Sequence, residues 1–193
     1  MNKTVFIGLF ALVFLGGGCL STDSEGETST EFDRDSVLVE ARENGLIMNS
    51  EETALMAQAS LTTDSNPLPS RDAESYVNTD TRDWFSAALA DVTGGTSFGI
   101  AHSQYDSGTF TLVVEMGNLP EPASGYFYEG WLVRRGESLS ILSTGRAEVT
   151  QDGFANVYLS RTDLTDYDFY VLTLEAEDGN PAPSEHILEG TLK

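Results

Sequence analysis

Histidine and cysteine are scarce in this chain, and their positions bound its chemistry. His102 and His186 are the two histidines, and Cys19 is the single cysteine. A Cys-His-Met copper site needs a thiolate inside the folded part, and Cys19 stands far upstream of it. One cysteine also excludes an intramolecular disulfide framework and a multi-cysteine zinc site. A two-histidine metal site would require His102 and His186 to face each other; separate surface imidazoles are the simpler expectation. Acidic residues cluster at Asp163, Asp166 and Asp168, and again at Glu175, Glu177 and Asp178. Neither run follows the Asp-x-Asp-x-Asp-Gly pattern of a calcium loop, so a solvated acidic face is expected and no metal or cofactor is assigned. No phosphate loop or paired-histidine metal motif occurs. Without a positioned base, none of the serines is a credible nucleophile, and the chain is read as a non-enzyme.

Glu129 is the charge with the most to explain. Period-2 alternation puts it on one face with Phe127, Trp131 and Val133, and a tryptophan face is expected to point inward. A buried Glu129 needs a partner or a raised pKa. Arg134, Arg135 and Arg146 are the candidates, in an ion pair or hydrogen bond that fixes the strand.

The elements that carry these residues are short strands. Turn signals recur at Gly94-Gly95, Asp106-Ser107-Gly108, Gly117-Asn118, Arg135-Gly136, Asp152-Gly153 and Asp178-Gly179-Asn180-Pro181. Between them lie runs rich in β-branched and aromatic residues, near 84–92, 96–105, 109–116, 126–134, 139–149, 154–160, 167–175 and 186–192. This spacing predicts an all-β fold over 81–193, an antiparallel sandwich or barrel, best read as a β-sandwich of 7–8 strands. Fourteen of the 19 aromatics fall in that stretch, which places the core there.

The remainder reads as an address and a tether. Lys3 precedes an apolar run from Thr4 to Leu15, followed by Gly16-Gly17-Gly18-Cys19. This is the layout of a signal peptide over 1–18, with Cys19 as the lipid-attachment residue. Leu15 stands one place further from the cysteine than a lipobox usually has it. Residues 19–80 read as an acidic, mostly disordered tether. Within it, 37–59 predict a helical hairpin: Val37, Leu38 and Ala41 on one stripe, a stop at Asn44-Gly45, and a capping box from Asn49 to Glu52. Such a hairpin is too small to be stable alone, and would dock on the main domain, bind a partner or fray. Asn66-Pro67-Leu68-Pro69 opens a polar linker.

Charge excludes one class of partner. With 31 acidic and 10 basic residues, the net charge is −21, which opposes nucleic-acid binding. Two of the basic residues are lysines and eight are arginines. High acid with little lysine fits either a protein exposed to high salt or an acidic exported protein.

Several motifs then occur in order: Leu119-Pro120, Tyr128-Glu129-Gly130-Trp131-Leu132-Val133, Val171-Leu172-Thr173-Leu174-Glu175, and a tail through Pro181, Pro183 and Gly190. In order and spacing they resemble the extracytoplasmic C-terminal domain of the anti-sigma-K factors, over about 97–192. Ala176 stands where that family has a proline. The resemblance implies a β-sandwich outside the membrane, with Pro120, Tyr128, Glu129, Trp131, Leu132, Thr173, Leu174, Glu175, Pro183 and Gly190 as signature positions of structural character. Eighteen residues before Cys19 leave no room for a sigma-binding domain, so direct sigma-factor binding is not expected. The expectation is a lipid-anchored module on the outer face of the membrane that binds a protein or cell-surface partner. A solute- or metal-binding surface lipoprotein is the alternative.

Overall fold

In a computed structural model, residues 33–69, 72–136 and 139–193 are described. The leader, Cys19 and the first part of the tether lie outside them. Two short helices, α1 (Arg34–Glu43) and α2 (Ser50–Met56), precede a 3-10 turn at Ala73–Ser75. Nine strands follow: β1 (Phe85–Asp91), β2 (Phe98–Asp106), β3 (Thr109–Gly117), β4 (Tyr126–Arg134), β5 (Ser140–Arg146), β6 (Glu148–Thr150), β7 (Gly153–Ser160), β8 (Phe169–Ala176) and β9 (Glu185–Thr191). The antiparallel all-β expectation holds, and each strand lies in or near the run that predicted it. The ninth arises because the stretch 139–149 breaks at Ala147 into β5 and β6.

That break closes the sheet. All nine strands belong to one sheet in the order β5-β4-β8-β9-β1-β2-β3-β7-β6. Consecutive β5 and β6 therefore sit at opposite ends of it. β5 pairs with β4 while β6 pairs with β7, so one length of chain touches both ends and curls the sheet into a nearly closed barrel. The register slips between Gly130 and Trp131, leaving Thr144 as the extra residue of a bulge on β5.

Alternation along the strands fills the interior. Ala87 and Leu89, Phe110, Leu112, Val114 and Met116, Tyr128 and Leu132, Tyr170 and Leu172, and Leu188 form one buried cluster. A polar network centred on Asn156 interrupts it. The Asn156 amide accepts from Thr144 Oγ1 at 2.6 Å and from the Tyr170 hydroxyl at 3.2 Å. It donates to the carbonyls of Gly145 at 3.0 Å and Thr144 at 3.4 Å. All four of its hydrogen-bonding places are thus used, across the seam between β5 and β7. Gly130 faces this group, and a Cβ there would collide with Asn156, Thr144 and Tyr170.

The outside of the barrel is covered in two places by the segment expected to be a solvated tether. Met48 and Met56 pack on Trp131, Val133, Ile141, Phe169 and Val171. Ala73, with Leu68, Tyr76 and Val77, covers Val113, Ala155, Val157 and Leu159, and Trp84 from the expected β-domain packs against the same patch. Between these patches the chain runs as a strap along the seam. Thr62 donates its N–H to Ile141 on β5, and Leu68 donates to Leu159 on β7. Asp64 pins the strap, accepting from Tyr158 Oη and Thr162 Oγ1, each at 2.7 Å. The linker expectation is corrected for these residues: burying apolar side chains outweighs their polar composition.

The hairpin forms where the sequence placed it. Asn49 accepts from the N–H groups of Glu51 and Glu52, while Glu52 accepts from Asn49 N–H, completing the capping box. Gly45 sits at φ +65° just past α1. The stripe is narrower than expected: Leu38 is buried and Val37 is exposed. Of the three fates open to the hairpin, it takes docking.

Candidate functional site

The signature positions of the sequence resemblance serve as packing and hydrogen-bonding residues of the barrel. Tyr128 Oη donates to the carbonyl of Pro120 at 3.0 Å. Trp131 Nε1 donates to Thr173 Oγ1 at 2.8 Å beneath the hairpin. Buried Glu175 accepts from Ser184 N–H at 2.8 Å and Ser184 Oγ at 2.7 Å, closing the loop that contains Pro183. Leu132 is buried inside, and Leu174 packs at the edge of the same cluster. Gly190 passes so close to β1 that a Cβ would overlap the Ala88 carbonyl.

Glu129 shares a face with Phe127, Trp131 and Val133, as the alternation required. That face is the outer one, covered by the hairpin, and not the interior. Its carboxylate accepts from Ser143 Oγ. Burial pushes its pKa above the ordinary carboxylate range; the Ser143 hydrogen bond opposes this, and the charges of Glu175 and Arg146 act in opposite directions. None of the three candidate arginines pairs with it. Arg134 pairs with Asp166, Arg135 with Asp168 at 3.0 Å, and Arg146 with Glu177 at 2.7 Å. The acidic runs are spent on these contacts and on local turns, with Asp163 capping Thr165 and Asp178 accepting from Asn180 N–H.

The two histidines lie on strands separated by β1. His102 sits on the outer face of β2, between Ser86 and Val113. Its Nδ1 is enclosed without a hydrogen-bond partner, and burial lowers its pKa. His186, on β9, bonds through Nδ1 to Glu189 Oε1 at 2.7 Å, and both side chains are buried. The other oxygen of Glu189 accepts the N–H of Met48 at 2.6 Å. Above the pair is a cleft of about 470 Å³ with Arg42, Ser50 and Thr53 in its walls.

A second depression of about 300 Å³ lies over β2 and β3, where neither helix nor strap covers the barrel. Phe98 and Ile100 stand on its floor, 61% and 42% exposed. The Phe98 ring lies directly on Gly117, where a Cβ would overlap it. Val77 and Phe154 form apolar walls, and Glu115 and Asp152 supply two carboxylates. Burial and the charge of Asp152 both raise the pKa of Glu115. Neither acid has a basic partner among the described residues. The arrangement suits a ligand that brings an apolar surface and a positive charge together.

Glu189, Arg42, Phe98, Ile100, Glu115 and Asp152 are not among the site residues expected from the sequence. One usable signal is that β2 carries Phe98 and Ile100 on the face opposite buried Ala101, and another is the His-x-x-Glu spacing of His186 and Glu189. The exposure of Phe98 and Ile100 depends on where the N-terminal segment packs. The chain matches no protein-family model, no curated protein and no solved structure.

Proposed function

We propose that this chain is a lipid-anchored extracytoplasmic lipoprotein, attached to the outer face of the cell membrane through Cys19. Its barrel acts there as a non-catalytic interaction module for a protein partner. The observation that carries the partner reading is the open groove of Phe98, Ile100, Glu115 and Asp152. It joins exposed aromatic and aliphatic surface to two carboxylates that have no basic partner among the described residues. Single exposed hydrophobics need no explanation, whereas a contiguous apolar groove rimmed by charge does. The groove favours a segment with an apolar residue beside Lys or Arg. The leader pattern over 1–18 supports the membrane address. The motifs shared with anti-sigma-K factors support a regulatory role for the contact, without direct sigma-factor binding.

The test is mass spectrometry of the membrane-fraction protein after crosslinking in cells. The expected result is a mature N-terminus at Cys19 carrying lipid, with a protein crosslinked to residues of the groove. An unmodified Cys19 in a soluble fraction, or crosslinks that avoid the groove, contradicts the proposal. A second reading, a solute-binding surface lipoprotein, is favoured by the cleft over His186 and Glu189.

A further inference from the structure

The His186–Glu189 pair has a feature that a purely structural pair does not need. Their side chains are 6% and 3% exposed, yet they form the floor of an open cleft. Glu189 accepts from Met48 N–H with one oxygen and meets His186 Nδ1 with the other. An acceptor carboxylate at Nδ1 fixes the proton there, so in the neutral ring Nε2 is left as an acceptor. Nε2 makes no hydrogen bond to any described residue, and it is not among the fully enclosed unpartnered atoms. Arg42, half-buried in the wall, forms no ion pair among the described residues, in a chain with 31 acidic residues. Met48, Ala54, Ala57 and Val92 complete the wall with apolar surface. A cation and an oriented acceptor thus share one cleft whose volume falls in the range of small-molecule sites.

We propose that this cleft binds a small carboxylic acid that also carries a hydrogen-bond donor, a hydroxy acid or an amino acid. The carboxylate lies on Arg42, and the hydroxyl or ammonium group donates to His186 Nε2. Thr53 Oγ1 already donates to the Asn49 carbonyl at 3.1 Å, which leaves the Ser50 hydroxyl as an additional polar contact in the wall. The inference deepens the solute-binding reading and is independent of the groove, with which the cleft shares no residue.

Two histidines in the whole chain make the test direct. The full chain, labelled at histidine and held in detergent micelles, gives two imidazole signals in proton–carbon NMR. His102→Gln and His186→Gln assign them, either one sufficing if the other variant misfolds. L-lactate, L-alanine and acetate are the probes, acetate having the carboxylate without the donor. The expected result is a saturable shift of the His186 signal by lactate, alanine or both, with a dissociation constant of about 1 mM or below. The His102 signal stays still. Acetate binds at least about threefold more weakly than lactate, the loss of one neutral hydrogen bond, and Arg42→Gln weakens binding at least about tenfold, the loss of a charged one, while the unliganded His186 signal of the variant keeps its position. Response to lactate alone identifies a hydroxy-acid site, and response to alanine alone an amino-acid site. No saturable shift with either acid, equal response to acetate, or unchanged affinity in Arg42→Gln overturns the proposal.

Discussion

Asn156 and Gly130 show how one buried amide constrains its neighbours. Asn156→Ala removes the partner of two hydroxyls and two carbonyls inside the barrel, and is expected to cost about 3 kcal/mol. Gly130→Ala is expected to cost about 2 kcal/mol by overlap. The double variant should lose less than the sum, since the smaller residue at 156 vacates part of the space; urea unfolding of all four proteins measures the coupling. Simple additivity contradicts the contact. Glu129 carries a second expectation, with a pH sign. Its folded pKa is raised by burial, so its contribution to stability is full below the unfolded value of 4.5 and is lost as pH rises through the folded value. Glu129→Gln should therefore match or exceed the parent in stability at pH 7, and the advantage should vanish on acidification below about 4.5. A loss of stability at pH 7 contradicts it. The sequence showed which residues share the Glu129 face, because period 2 is a property of any strand. It did not show that this face is the outer one, because Trp131 and Val133 are apolar on the side that the hairpin covers.

At the scale of elements, strands and caps were the readable part. Turn glycines, aspartates and asparagines fixed the strand limits to within a few residues, and Asn49 with Glu52 announced the start of α2. The strap was not readable. Leu61, Thr62 and Asn66-Pro67-Leu68 have loop composition, and their partners Ile141 and Leu159 lie far along the chain. The bulge at Thr144 and the break at Ala147 depend likewise on closure of the sheet. Docking of the hairpin rests on Met48 N–H to Glu189, on Arg135 and Thr191 to the Gly45 carbonyl, each at 2.9 Å, and on Met48 and Met56 over Trp131. Glu189→Leu should release it, shifting Trp131 emission to the red and opening residues 44–60 to protease while the barrel stays folded. Asn49→Ala should weaken α2 by about 1 kcal/mol and raise cleavage in the same stretch by a smaller factor. Unchanged emission and cleavage in Glu189→Leu would show that the buried carboxylate does not hold the hairpin.

Across the whole molecule, a net charge of −21 with few bases bears on stability. Mutual repulsion of the carboxylates is screened by salt, so the melting temperature should rise between about 0.1 M and about 1 M NaCl. A flat or falling profile would mean that the acids are compensated locally. The same field favours a cationic partner, and the groove of Phe98, Ile100, Glu115 and Asp152 is where it meets open apolar surface. The most direct test places a photo-crosslinking residue at Ile100 in cells, with Tyr126, 49% exposed, as the control position. The expected result is an adduct from position 100 whose crosslinked peptide pairs an apolar residue with Lys or Arg, and its loss when Glu115→Lys is added. Equal adducts from positions 100 and 126, or an adduct indifferent to Glu115→Lys, would contradict it.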